Sequence, residues 1–145
     1  MPSQPVPEAG FRAANLAHRL LLRVTGGRVA GRLMGMPVIE LTVVGRRSGA
    51  ERTVILTVPV LEQDRLVVVA SKGGAEQHPQ WYRNLLADPD VWVTSAGQRR
   101  PMKARTASAA ERERLWPQCV RAYPGYGQYQ RRTGREIPLV ILEPR

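Results

Sequence analysis

Cysteine, histidine and acidic residues are scarce in this chain, and each shortage removes a class of chemistry. Cys119 is the sole cysteine of the 145 residues, so no intramolecular disulfide can form. With only His18 and His78 beside it, the chain lacks the soft ligands of a zinc site, and no metal is expected. Asp and Glu total 12 against 22 Lys and Arg and are scattered along the chain. His-Glu-x-x-His, a G-x-S-x-G elbow and G-x-G-x-x-G after the first strand are also missing. Hydrolytic, metal-assisted and Rossmann-type reactions therefore lack their residues, and an enzyme built on this chain needs a bound cofactor for the difficult step. No stretch approaches the roughly 18 to 20 uninterrupted apolar residues of a spanning helix. Met1-Pro2-Ser3-Gln4-Pro5 has neither the basic region nor the apolar run of a signal peptide, so a cytoplasmic, non-spanning protein is expected.

What is present is an ordinary globular composition with an extraordinary charge. Hydrophobic residues make up 43% and charged residues 23% of the chain, which is enough for a packed core in one domain of this length. The formal net charge of +10 suits a polyanionic partner: nucleic acid, an anionic membrane surface or a multiply charged small ligand. Composition alone does not choose among these.

Residues 1–10 carry three prolines and no periodicity and read as a flexible arm. From Phe11 to Val24, Arg12, Asn15, Arg19 and Arg23 recur at helical spacing opposite Ala13, Leu16, Ala17, Leu20, Leu21 and Val24. That pattern predicts an amphipathic helix with a basic stripe, packed on the domain or laid on an anionic bilayer. Gly26, Gly27, Gly31 and Gly35 then predict a loop up to Pro37, so 11–37 forms a helix-plus-loop unit ahead of a domain at 38–145. The glycine spacing resembles a P-loop, but its Lys and Ser/Thr are absent.

Strand signals begin at Val38. Val38–Val44, Val54–Leu61 and Arg65–Ala70 read as a three-strand meander, with Pro59 marking the second run as an edge or bulged strand. His78-Pro79 opens a short helix with Trp81, Tyr82, Leu85 and Leu86 on one face, and Pro89 ends it. Val91–Ser95 and Pro101–Thr106 pair around Ala96-Gly97-Gln98. Ser108-Ala109-Ala110-Glu111 is a capping box for a helix that Pro117 is expected to kink. A short helical segment follows Pro124, and Ile137–Leu142 is a last strand. About six mostly antiparallel strands with flanking helices and no βαβ alternation predict a small β-barrel with helices outside.

Three segments could carry chemistry. Gly45-Arg46-Arg47-Ser48-Gly49 with Arg52 offers guanidinium groups, a hydroxyl and turn amides to a phosphate or carboxylate, or is simply a solvated turn. Ala70-Ser71-Lys72-Gly73-Gly74, leading to Trp81-Tyr82, provides a hydroxyl, a cation and glycines that admit a ligand, or is a plain strand-to-helix loop. Tyr123, Tyr126 and Tyr129 stand at spacing three among glycines and present their hydroxyls on one surface, or anchor a loop to the barrel.

Taken together and in order, these segments resemble the deazaflavin-dependent nitroreductase family. The resemblance also draws on His78-Pro79, Arg83-Asn84-Leu85, Leu115-Trp116-Pro117, Tyr123-Pro124-Gly125-Tyr126 and Ile137-Pro138, and runs from about Val38 to Pro144. It implies a split β-barrel that binds coenzyme F420, a 5-deazaflavin with a phosphate and an oligoglutamate tail. It also implies transfer of a hydride to a small electron acceptor, a quinone or a nitroaromatic. Carried over residue by residue, it places Arg46, Arg47, Ser48 and Arg52 on the phosphate and tail. Ala70, Ser71, Lys72 and Gly73 would lie along the cofactor with Trp81 beside the ring. Ser71, Tyr123, Tyr126 and Tyr129 would stand around the acceptor, Tyr126 being the preferred donor. Thr57-Val58 occupies a position where some members carry an aromatic, and His78 stands where some have Asn. Further expectations are a homodimer, a peripheral membrane contact through residues 11–24 and no nucleic acid. The residues themselves leave open an FMN-binding split barrel and a basic module for single-stranded nucleic acid.

Overall fold

The computed structural model describes residues 32–145. The arm at 1–10, the helix at 11–24 and the glycines up to Gly31 lie outside the described residues, as does the membrane contact assigned to that helix. No described helix is long and apolar enough to cross a membrane.

Among the described residues the fold has eight strands and three helices. The strands are β1 (Arg32–Leu33), β2 (Met36–Val44), β3 (Glu51–Thr57), β4 (Val60–Glu62), β5 (Arg65–Val69), β6 (Asp90–Ser95), β7 (Gln98–Thr106) and β8 (Leu139–Pro144). The helices are α1 (Gln80–Ala87), α2 (Ala109–Ala122) and α3 (Gly125–Arg132), and a short 3-10 turn spans Lys72–Gly74. The first strand pair begins earlier than the sequence pattern implied. Met34 and Gly35 both have positive φ, +53° and +79°, which closes Arg32–Leu33 onto Met36–Pro37 as a tight hairpin where a loop was expected.

All pairings are antiparallel, and the strand path runs β3-β2-β6-β7-β8-β5-β4, with β1 on the start of β2. The expected three-strand meander is therefore not formed: among the described residues β3 pairs only with β2, while β5 pairs with β4 and β8. The reason lies at Val58-Pro59. Val58 N donates to Pro37 O at 2.8 Å, Pro59 has no N–H to give a ladder, and the chain leaves one edge of the sheet for the other. Flat, the seven strands of that path would hold their edges about 29 Å apart. The two-residue link from β3 to β4 spans at most about 11 Å. The sheet must curl until its edges approach, which makes a split barrel.

Two hydrophobic clusters follow from the alternation along β5 and β8. Val68, Val140 and Leu142 face the barrel interior with Leu41, Val43, Val91, Val93 and Leu85 of α1. Val67, Val69, Leu139 and Ile141 face outward, where Leu115 and Cys119 of α2 and Tyr126 of α3 cover them. Strands buried on both faces are apolar at every position, as Leu139-Val140-Ile141-Leu142 is. Cys119 is fully buried in this second cluster, and burial pushes its thiol up to about 12.

The helix boundaries agree with their sequence signals. The capping box is complete: Glu111 N donates to Ser108 Oγ at 3.2 Å, and Ser108 N donates to Glu111 Oε1 at 2.9 Å. Helix α2 runs through Pro117 as one element. On α1, Tyr82 and Leu85 are buried, but Leu86 is 57% exposed and does not share their face.

Candidate active site

A cleft of about 1250 Å³ opens along β3, between the β2–β3 turn at one end and α3 at the other. It is larger than most small-molecule sites and suits a long ligand. The strand β3 forms one wall from Glu51 to Thr57, and its outer edge has no strand partner among the described residues.

The basic end is built by the turn after β2. Gly45 N donates to Ala50 O and Gly49 N to Gly45 O, both at 2.8 Å, and Ser48 Oγ accepts from Ala50 N at 3.1 Å. This closed turn holds Arg46, Arg47 and Ser48 at the cleft, with Arg52 on the adjoining strand. Arg46 is fixed from α1: its backbone N and guanidinium both donate to Asn84 Oδ1, at 3.1 and 2.8 Å, and the guanidinium also reaches Gln80 Oε1 at 2.9 Å. Arg47, Arg52 and Lys72 have no carboxylate partner among the described residues, so three cations line the cleft uncompensated. Asn84, buried on the apolar side of α1, went unassigned in the sequence reading. A polar side chain three residues after Trp81 on that face was the signal for it.

The middle of the cleft is the segment after β5. Ser71, Lys72 and Gly73 line it. Lys72, Gly73 and Gly74 all have positive φ, at +45°, +62° and +83°. A Cβ on Gly74 would lie 2.7 Å from the backbone oxygen of Tyr129, so only glycine lets this segment pack against α3. Ser71 caps the 3-10 turn by position, but its hydroxyl makes no capping bond. Ala70 stands apart from its neighbours: it is fully buried in the inner core, its N bonds Pro138 O, and it does not line the cleft. Trp81 lines the cleft, whereas Tyr82 is buried with its hydroxyl 2.8 Å from Thr106 Oγ1.

The aromatic end comes from the segment joining α2 to α3. Tyr123, Tyr126 and Tyr129 form one cluster, with ring centroids 5.1 to 6.4 Å apart. Gly125 permits it, because a Cβ there would meet the Tyr123 ring at 2.3 Å. The three hydroxyls differ. Tyr123 and Tyr129 hydroxyls lie 3.3 Å apart at the half-buried cleft wall, and that hydrogen bond pushes Tyr129 upward, aided by burial. Tyr126 is only 5% exposed, with its hydroxyl 2.9 Å from Thr57 Oγ1 and 3.8 Å from Met36 Sδ. Burial pushes Tyr126 up to about 12. Tyr126, the preferred acceptor donor, lines the cleft but is the most buried of the three, and its hydroxyl is engaged by Thr57, a position where the sequence departs from the family pattern.

The sequence pattern of the F420H(2)-dependent quinone reductases matches residues 16–144. The chain belongs to this family. An F420H(2)-dependent quinone reductase of Mycobacterium tuberculosis is 36% identical over 133 residues, covering 88% of each chain. Among solved structures, an F420-H2 dependent reductase (FDR-A) is 42% identical with a TM-score of 0.67, over 74% of this chain and 94% of that one. A chain described as a domain-swapped dimer is 35% identical with a TM-score of 0.69, over 90% of this chain and 99% of that one. The family is one of oxidoreductases whose cofactor is coenzyme F420. The cleft fits that cofactor on its own terms: a polyanion of this length needs an extended channel with uncompensated cations, which Arg47, Arg52 and Lys72 provide.

Proposed function

We propose that this chain reduces quinones, and nitroaromatic or similarly electrophilic acceptors, at the expense of reduced F420 in the cleft along β3. The observation that carries the reading is the cleft's polarity: uncompensated cations at one end, tyrosine hydroxyls at the other, and Ser71 between them. When bound, reduced F420 supplies a hydride from its deazaflavin ring. Arg47, Ser48 and Arg52, with the α1-tethered Arg46, bind the phosphate and tail by charge-assisted hydrogen bonds. Ser71, Lys72 and Gly73 would lie along the cofactor with Trp81 beside its ring, while Ala70 would support that segment from the core. Ser71 and the Tyr123–Tyr129 pair, whose mutual hydrogen bond leaves one O–H proton unshared, donate to an acceptor oxygen and steady the charge that develops there. Tyr126, tied to Thr57, holds the wall against which the acceptor rests.

Titration of oxidised F420 with the protein, followed by fluorescence anisotropy with FMN in parallel, tests this reading. Saturable binding at low micromolar concentration, with FMN much weaker, is expected, and turnover with quinones and nitro compounds then sets the acceptor range. No F420 binding overturns it.

A further inference from the structure

Arg135 lies on the segment between α3 and β8, 57 to 65 residues beyond the loop that crosses the middle of the cleft, yet its guanidinium makes four contacts to that loop. Its Nε donates to Ala75 O at 2.8 Å, one terminal nitrogen to Ser71 O at 2.8 Å, and the other to Ala70 O at 3.2 Å. That last nitrogen also lies 2.9 Å from His78 Nδ1. One planar group thus grips the loop on both sides of three consecutive residues with positive φ. Such backbone persists only where its surroundings over-determine it.

Arg135 is itself held. Gln130 Nε2 donates to Arg135 O at 2.7 Å, and Gln130 Oε1 accepts from Ile137 N at 2.9 Å, so α3 fixes the segment from which the side chain extends. From the other side, Arg132 reaches Gly73 O at 3.5 Å. The carbonyls of Ser71 and Lys72 also accept from Gly74 N and Ala75 N at 2.9 and 3.1 Å. Every carbonyl from Ala70 to Gly73 thereby has a donor. The N–H groups of Lys72 and Gly73 have no acceptor among the described residues, at a point where both residues line the cleft. The right-handed Ser71 followed by Lys72 at positive φ is the succession that turns neighbouring N–H groups toward one point and suits an oxygen bearing negative charge.

We propose that Arg135 is a positioning residue of the active site: its clamp on Ala70, Ser71 and Ala75 keeps the Lys72 and Gly73 amides unpaired at the cleft wall, ready for a polar oxygen of the cofactor. The proposal rests on reading the cleft as the cofactor site. His78 completes the clamp as a neutral acceptor, and its surroundings favour that form. Burial, then the charges of Arg135 and of Arg83, hold its imidazole below the ordinary value, and the Tyr82 ring meets it edge-on at 5.0 Å.

The test compares wild type, Arg135→Gln and Arg135→Lys by three readouts: F420 affinity by anisotropy, amide hydrogen exchange over residues 71–75, and the His78 titration by NMR. Loss of the fork in Arg135→Gln is expected to weaken F420 about ten- to hundredfold, the scale on which small misplacements act in a site. Exchange at Gly74 and Ala75 is expected to quicken at least tenfold, and the His78 titration to move upward as the neighbouring cation is removed. Arg135→Lys, which keeps the charge but not the fork, is expected to retain the low His78 titration and recover only part of the affinity. It also serves as the folded comparison if the glutamine variant does not fold. Unchanged affinity and unchanged exchange in the variants overturn the proposal. Weakened binding with unchanged exchange also overturns it, because the effect then does not pass through the loop. If wild type itself fails to bind F420, the functional reading falls, and exchange alone decides whether Arg135 holds the loop.

Discussion

Replacing Tyr126 by phenylalanine removes one hydroxyl from a nearly closed environment, and the structure says what that hydroxyl does. It lies 2.9 Å from Thr57 Oγ1, across 69 residues of sequence, and ties α3 to the strand that forms the cleft wall. A net hydrogen bond contributes about 1 kcal/mol, and the orphaned Thr57 hydroxyl adds a desolvation cost of similar size. Tyr126→Phe should therefore lose about 1–2 kcal/mol of stability, equivalent to a fall of roughly 2–8 °C in Tm for a domain of this size. Thr57→Val should lose a comparable amount. The double variant should lose about 1 kcal/mol less than the sum of the two, because each single change already breaks the shared bond. Urea unfolding of the four proteins measures the cycle. Turnover with a quinone in Tyr126→Phe should fall by less than tenfold, since a hydroxyl donating directly to developing charge is worth roughly a hundredfold or more. Strict additivity in the cycle would refute the tether. A hundredfold loss of turnover with stability intact would refute the assignment of Tyr126 to the wall and return it to the acceptor.

Arg52→Ala should weaken F420 binding by roughly tenfold or more, as expected for one charge-assisted contact, and flatten the salt dependence of affinity; an unchanged affinity measured by anisotropy at low and high salt would remove Arg52 from the anion site. Acid stability should depend on Glu111. Hydrogen bonds from Arg105 and then from the Ser108 backbone depress its carboxyl from about 4.5 to about 2, so the folded state binds this proton less readily than the unfolded one. Its contribution is fully present above about 4.5 and is lost as the pH falls toward 2. Glu111→Gln should flatten the dependence of unfolding free energy on pH within that window while lowering stability at neutral pH, and an identical pH dependence in the two proteins would contradict this.

Local chemistry wrote much of this protein into its sequence. The capping box at Ser108, the hairpin expected around Ala96-Gly97-Gln98 and the termini of α1 depend on residues within a few positions of one another, and all three formed, the hairpin with a tighter turn because Gln98 already pairs with Ser95. The basic turn at Gly45–Gly49, the Ser71-Lys72-Gly73 segment and the three tyrosines were visible as residue types in short windows. The structure draws them into one cleft.

What no window contained was the order of the strands. Val54–Leu61 and Arg65–Ala70 read as neighbours because they are adjacent in sequence, but a proline without an N–H ends one run, and β3 and β4 become opposite edges of a curled sheet. That topology decides the rest. It brings Thr57 to Tyr126, Asn84 to Arg46 and Arg135 to the loop at Ala70, each pair separated by 38 to 69 residues. A hydrogen bond at such separation leaves no periodicity to read, because its partners meet only after the sheet has closed on itself. The sequence by itself determined which groups could bind an anionic cofactor, while the tertiary structure decided which of their hydroxyls and amides remain free to do so.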